Sequence, residues 1–275
     1  MRNDGDGWVR GMRVLRVALV AFTVLTLIYL VMPTFIIVPM SFSNKSYLSF
    51  PPPGWSLHWY EEMLARPDYP AALLNSFKVG VPVALLSAVL GTLAALGLVR
   101  GKPVGARPLT SFFLAPLMLP QIILAIGMYP VMAKLGIIGT TTGIVIAHTV
   151  VCIPLVYLTV AAALQSYPPT YEIAAMTLGA GWWPTFWLVT FPMIRVGILA
   201  GAILAFAFSF DELILALFLA SPESRTLPRL LWQDLRQYVT PIIAAATTLV
   251  LCLSFALLGL TAWLQRSAPR PGARQ

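Results

Sequence analysis

The sequence predicts an all-α integral membrane protein with six transmembrane helices and both termini in the cytoplasm. Three observations predict it. Of the 275 residues, 59% are hydrophobic and only 10% charged, at a mean hydropathy of +0.83; water-soluble domains carry about 25% charged residues, which excludes a soluble globule. The apolar residues gather in six runs, each long enough to cross a hydrocarbon core roughly 30 Å thick. The basic residues gather at the ends of those runs. The formal charge of +8 therefore reads as membrane topology and not as a nucleic-acid surface.

Arg2, Arg10, Arg13 and Arg16 precede the first run, from about Val17 to Met40. It is longer than a signal-peptide core and lacks a small-residue cleavage site, so it reads as an uncleaved span behind a cytoplasmic tail, residues 1–16. Residues 41–71 form a polar loop containing FPPPGWSLHWYEEMLARPDYP, in which Ser56 can cap a short helix that Pro67 ends. Trp55, Trp59 and Tyr60 read as an aromatic belt at the outer surface. The second run goes from about Leu73 to Val99, with Lys78 near its outer boundary. Arg100, Lys102 and Arg107 then mark an inner loop.

The third run, about Leu109 to Ala133, is expected to be one span despite Pro116, Pro120 and Pro130, because neighbouring groups in a membrane bundle can re-satisfy the backbone. Lys134 to Thr142 make a tight outer turn, and the fourth run continues to about Leu164. His148 within it reads as a hydrogen-bonded packing residue rather than a proton carrier, and no second histidine is near it to build a metal site. The fifth run, about Pro192 to Ala220, contains Ser209-Phe210-Asp211-Glu212. An amphipathic outer segment, Ser221 to Thr240, leads to the sixth run, Pro241 to Leu264, and a C-terminal tail, 265–275. Placing Arg2, Arg10, Arg13, Arg16, Arg100, Lys102, Arg107, Arg195, Arg266, Arg270 and Arg274 inside leaves seven of the eighteen basic residues outside. The sign fits two cytoplasmic termini, although Arg225, Arg229 and Arg236 run against it.

Cys152 and Cys252 both lie inside apolar runs, so neither a disulfide framework nor a metal site is expected. The phosphate-binding pattern GxxxxGK[ST] is absent, so this chain is not expected to hydrolyse ATP. No catalytic residue or cofactor is assigned.

The stretch from Ser166 to Arg195 is too interrupted to be a span. Pro168 and Pro169 stop the fourth run, and Thr170 can cap a short helix with Glu172 in its first turn, where the helix dipole favours an anion. Gly179 or Gly181 can take the left-handed conformation that ends this helix, and Pro184 starts a second segment. The side bearing Ala174 and Ala175 is small enough for another protein to approach closely. Trp182, Trp183 and Trp187 suit a membrane surface. An Ala-Ala pair, three residues, a glycine, nine residues and Val-x-Phe-Pro (Val189, Phe191, Pro192) resembles the EAA loop of ABC importer permeases. In that family the acid usually sits immediately before the Ala pair, a place held here by Ile173. Glu172 lies one step earlier, about 100° around the helix.

This resemblance implies a type I ABC importer permease fold over a single domain, 1–275, in the bacterial inner (plasma) membrane. It implies a coupling loop, 166–191, in which Glu172, Ala174, Ala175, Gly179 and Pro192 meet a cytoplasmic ABC ATPase dimer. It also implies a second permease subunit and a periplasmic or external solute-binding protein. Ser-Phe-Asp-Glu, a Thr-Leu-Pro segment (Thr226 to Pro228), Thr-Pro at Pro241 and F-x-PP-G-x-S-x-x-W-Y in the first outer loop are similar to the spermidine/putrescine permease group.

Adjacent carboxylates are costly in a bilayer, about 2.5–3.5 kcal/mol for an acid at mid-span. Asp211 and Glu212 are therefore expected near the outer boundary, facing a vestibule or the bundle interior. Two readings stand: with Ser209 they line a path that attracts an organic polycation, or they complete a structural network with nearby backbone or Lys78. Permeases for ferric iron, opines or amino-acid-like solutes share the architecture. An intramembrane hydrolase would need a nucleophile with a base, and Ser209, Asp211 and His148 form no recognised motif. A channel working without ATP is the remaining alternative.

Overall fold

The structure, a computed structural model, describes residues 4–237 and 239–266, in which the regular secondary structure is helical apart from two isolated β-bridges. Its contacts divide the chain into two units, one built from 4–65 with 239–250 and the other from 66–237 with 251–266.

In the first unit, α1 (Asp4–Ser41) is one helix that includes Pro33 and Pro39. From Asp4 on, the expected N-terminal tail is thus the beginning of α1. No residue of its most apolar window is buried, so this surface is left for lipid or another protein. The chain then folds back on itself. The Asn44 and Ser56 amides donate to the Gly54 and Phe42 carbonyls, and Ser41 Oγ lies 2.6 Å from the Tyr60 hydroxyl. Leu57, and not Ser56, stands at the capping position of α2 (His58–Ala65), its carbonyl accepting from the Tyr60 and Glu61 amides; Ser56, one residue earlier, accepts from the His58 amide and steadies the start of the helix.

The second unit is organised around α6 (Thr141–Gln165), two-thirds of whose apolar window is buried. Thr140 caps it by accepting from the Gly143 amide at 3.1 Å. Packed on it, and on each other, are α3 (Asp68–Ala95, extended by a π-helical turn Leu96–Arg100) and α9 (Phe191–Asp211). Val79 and Val83 of α3, Ile144, Val156, Val160 and Leu164 of α6, and Ile194 and Ala205 of α9 form one buried core. Glycines set the spacing. A Cβ at Gly91 would come within 2.7 Å of Val156 Cβ, one at Gly197 within 2.7 Å of Ala163 Cβ, and one at Gly201 would collide with the Thr159 hydroxyl. Close approach of this kind favours helix pairing where no hydrophobic effect drives it.

Two expected spans are interrupted. The third is a pair, α4 (Ala106–Met118) and α5 (Gln121–Lys134), bent by 101°. Pro116 and Pro130 are accommodated inside these helices; the break falls at Leu119-Pro120. A residue before proline is driven to extended backbone, and Leu119 has φ −86° and ψ 138°. The fifth run is helical from Trp182 to Asp211, breaks at Glu212, and resumes as α10 (Ile214–Leu219). Five continuous apolar helices and one bent pair thus stand where six uninterrupted spans were expected. The outer segment forms α11 (Leu227–Gln237), and the last run forms α12 (Pro241–Arg266). Of the expected C-terminal tail, Gln265 and Arg266 complete α12; the rest, with Arg270 and Arg274, lies outside the described residues, as does Arg2.

Candidate functional site

The interrupted stretch between α6 and α9 forms α7 (Thr170–Thr177) and α8 (Trp182–Thr185), followed by a second π-helical turn, Phe186–Thr190, that runs into α9. Pro169, and not Thr170, occupies the capping position, so α7 starts without a side-chain cap. Gly179 makes the turn at φ +89°, with nothing within 4 Å of an added Cβ, whereas Gly181 is extended. The chain turns once, at Gly179. Ala174 and Gly179 are exposed, Ala175 half-buried, and Pro192 lies on an exposed face of the continuous helix. Pro192 has no amide hydrogen, and the π turn before it, in which the Phe191 amide donates to the Phe186 carbonyl, absorbs the missing donor. Trp182, Trp183 and Trp187 are exposed; Trp182 stacks on Phe186, with ring centroids 5.8 Å apart.

Glu172 turns inward. The Arg100 guanidinium lies 3.0 Å from its Oε2, and its Oε1 accepts from the Tyr167 hydroxyl at 2.7 Å and from Thr190 Oγ1 at 2.9 Å. Arg100 also donates to the Tyr167 carbonyl at 3.3 Å and stands over the Tyr167 ring, 4.5 Å from its centroid. Burial, then the bond to Glu172, push the Tyr167 hydroxyl above its usual pKa, so it remains a proton donor at neutral pH. Beside this cluster opens a cavity of about 620 Å³, lined by Leu93, Leu96, Ile173, Met176 and Phe186 among others. Sequence reasoning counted Arg100 only as a topology marker and missed Tyr167 and Thr190. An arginine ending an apolar run and a lone glutamate in the other inner loop were the available signal.

The second candidate group divides. Ser209 is buried and lies 2.9 Å from His148 Nδ1, so the two residues are brought together. Nucleophilic chemistry would need a third group to orient the imidazole. Among the described residues, His148 Nε2 has no hydrogen-bond partner, and the pair reads as a bond between α6 and α9. Glu212, 5% exposed, accepts from the Leu215 amide at 2.9 Å and is also bonded by Gln121, tying the start of α10 to α5. Asp211 alone is exposed. It sits at the C-terminal end of α9, where the helix dipole adds to its negative potential. Among the described residues neither acid forms an ion pair with Lys78, and no cluster of His, Cys, Asp and Glu could hold a metal ion.

An all-helical membrane bundle with a short exposed helix between two packed spans defines a class, and comparison with known proteins names it. The profile described as "Binding-protein-dependent transport system inner membrane component" matches residues 87–269. The chain belongs to that family: it is a multi-pass inner-membrane permease subunit of an ABC importer. It is 34% identical over 242 residues to the putrescine transport system permease protein PotI of Escherichia coli (strain K12), covering 86% of this chain and 85% of the relative. It is 26% identical over 247 residues to the spermidine/putrescine permease PotC of Haemophilus influenzae, covering 90% and 95%. The molybdenum transport system permease ModB of Mycobacterium bovis is 31% identical over 218 residues, covering 74% and 81%. Among solved structures, a chain of a bacterial ABC transporter that imports alginate shares the fold, with a TM-score of 0.70 over 94% of this chain and 98% of that one at 15% identity.

Proposed function

We propose that this chain forms half of the translocation path of a polyamine importer. It works with a second permease subunit, a cytoplasmic ATPase dimer that hydrolyses the ATP, and an external binding protein that delivers the solute. Both termini are cytoplasmic, and the chain acts as a single permease domain. The loop 166–191 docks on the ATPase through the exposed α7 and its Gly179 turn, with Glu172 and Pro192 fixing the loop at either side. Asp211, Glu212 and Ser209 belong to the solute path. Asp211 meets the passing polycation, while Glu212 and Ser209 hold the break that exposes it.

The observation that carries this reading is the similarity to putrescine and spermidine/putrescine permeases, joined to an exposed carboxylate at a helix C-terminus. Coulomb attraction strengthens as water is excluded, so such a site favours an organic cation. The test is Asp211→Asn in the assembled transporter, with uptake of labelled putrescine and spermidine normalised to intact complex. The amide keeps the size and loses the charge, so uptake should fall about tenfold or more, as expected when a charged contact worth at least 1.4 kcal/mol is lost. Unchanged uptake per complex would remove Asp211 from the path.

A further inference from the structure

Glu172 is fully engaged within its own chain. Its two donors from neighbouring helices, Arg100 and Thr190, are each the last residue of a π-helical turn, Leu96–Arg100 and Phe186–Thr190. A π turn holds one residue more than an α turn and so rotates the downstream residues by about 100°. Two such turns converge on one carboxylate. The first is crowded as well: a Cβ at Gly101 would stand 2.5 Å from the Gly97 carbonyl oxygen, so the chain leaving Arg100 requires glycine there. With Glu172 turned inward, the exposed face of α7 is uncharged, presenting Tyr171, Ile173, Ala174, Met176 and Leu178.

From this geometry we infer that Arg100 is a positioning residue of the coupling step. It holds α7 on the end of α3, so that displacement of α7 by the ATPase enters α3 through the Arg100–Glu172 pair, while α7 meets the ATPase through uncharged contacts. This rests on the proposal that the loop 166–191 docks on the ATPase. The Tyr167 ring under the guanidinium, Nε within 3.3 Å of both Glu172 oxygens and Nη2 donating to the Tyr167 carbonyl restrict Arg100 to one orientation, which a flexible lysine would hold less well.

The experiment uses the complete transporter in vesicles and reads solute moved per ATP hydrolysed. It also follows cross-linking of Leu178→Cys to the ATPase. Arg100→Ala should leave the cross-link in place and lower solute per ATP about tenfold, inside the 5–150-fold range typical of coupling between sites. Arg100→Lys should recover part of the ratio, and the exchanged pair Arg100→Glu with Glu172→Arg more than either single change. A wild-type ratio in Arg100→Ala, with the cross-link intact, would overturn the role of Arg100 and leave docking standing. No cross-link in the Leu178→Cys transporter with Arg100 present would instead overturn docking. If Arg100→Ala fails to assemble, Arg100→Lys and the exchanged pair decide: a wild-type ratio in Arg100→Lys, or no recovery in the exchanged pair, overturns the inference.

Discussion

The two ends of α3 are held by the same three groups. At the Asp68 end, Arg66 stands 4.9 Å over the Tyr69 ring, and both reach Asp234 of α11, the hydroxyl at 2.7 Å and the guanidinium at 3.2 Å. At the Arg100 end, Arg100 stands 4.5 Å over the Tyr167 ring, and both reach Glu172 of α7, the hydroxyl at 2.7 Å and the guanidinium at 3.0 Å. The difference is in the number of carboxylates. Arg66 has a second one, Asp68, at 2.9 Å, whereas Arg100 has only Glu172 among the described residues. The Asp68 end is also tied by the Ser76 hydroxyl accepting from the Leu227 amide and by Asn75 donating to the Glu223 and Arg225 carbonyls. One end pairs its arginine twice; the other holds its short helix by a single ion pair and two hydroxyl hydrogen bonds to the same carboxylate.

That contrast sets an order of effects. Glu172→Gln should cost the most, about 2–3 kcal/mol, because Arg100 is left largely buried without a carboxylate; the range is kept below the 3–5 kcal/mol of a fully buried pair to allow for residual solvent screening. Loss of uptake and of thermal stability in the purified complex would show it, and a variant indistinguishable from the native chain would sink the contrast. Asp234→Asn should cost only about 1 kcal/mol, since Asp68 keeps Arg66 paired. A larger fall in melting temperature for Asp234→Asn than for Glu172→Gln would reverse the assignment of the redundant end. Tyr167→Phe and Tyr69→Phe each remove one hydrogen bond to a carboxylate and should weaken their ends by similar amounts, about 1 kcal/mol, with only Tyr167→Phe changing solute moved per ATP. Thr190→Val should have the smallest effect, about 0.5–1 kcal/mol, detectable as a weaker Arg100–Glu172 coupling in a double-mutant cycle.

Much of the fold was legible because a membrane span is a local property: twenty or so apolar residues declare it without reference to the rest of the chain. The bend at Leu119-Pro120 was half legible. Three prolines marked the region, but which of them breaks the helix depends on what packs beside each, and Pro116 and Pro130 stay helical. The break at Glu212 carries no proline or glycine. It rests on a local bond, the Leu215 amide donating to the Glu212 carboxylate three residues before it, and on the distant Gln121, which no local pattern encodes. At the coupling loop, the Ala174-Ala175 and Gly179 pattern located the helix and its exit turn. The inward direction of Glu172 was not legible, because it depends on two π turns, one of them some 70 residues away in α3. His148 and Ser209 were each noticed, but only the packing of α6 on α9 shows them bonded.

The glycine seam has a consequence for how the chain opens to solvent. With Gly91, Gly197 and Gly201 leaving no room between α3, α6 and α9, the amides in the middle of α6 should be the last in the chain to exchange with deuterium, since they are freed only when the whole unit comes apart. Exchange should instead begin at three places where the regular ladder is interrupted: Leu119-Pro120, Glu212-Leu213, and the Gly179 turn. Comparing labelling of these joints with and without nucleotide would give the sequence in which the subunit yields during a transport cycle, read from one packed helix that keeps time by staying closed.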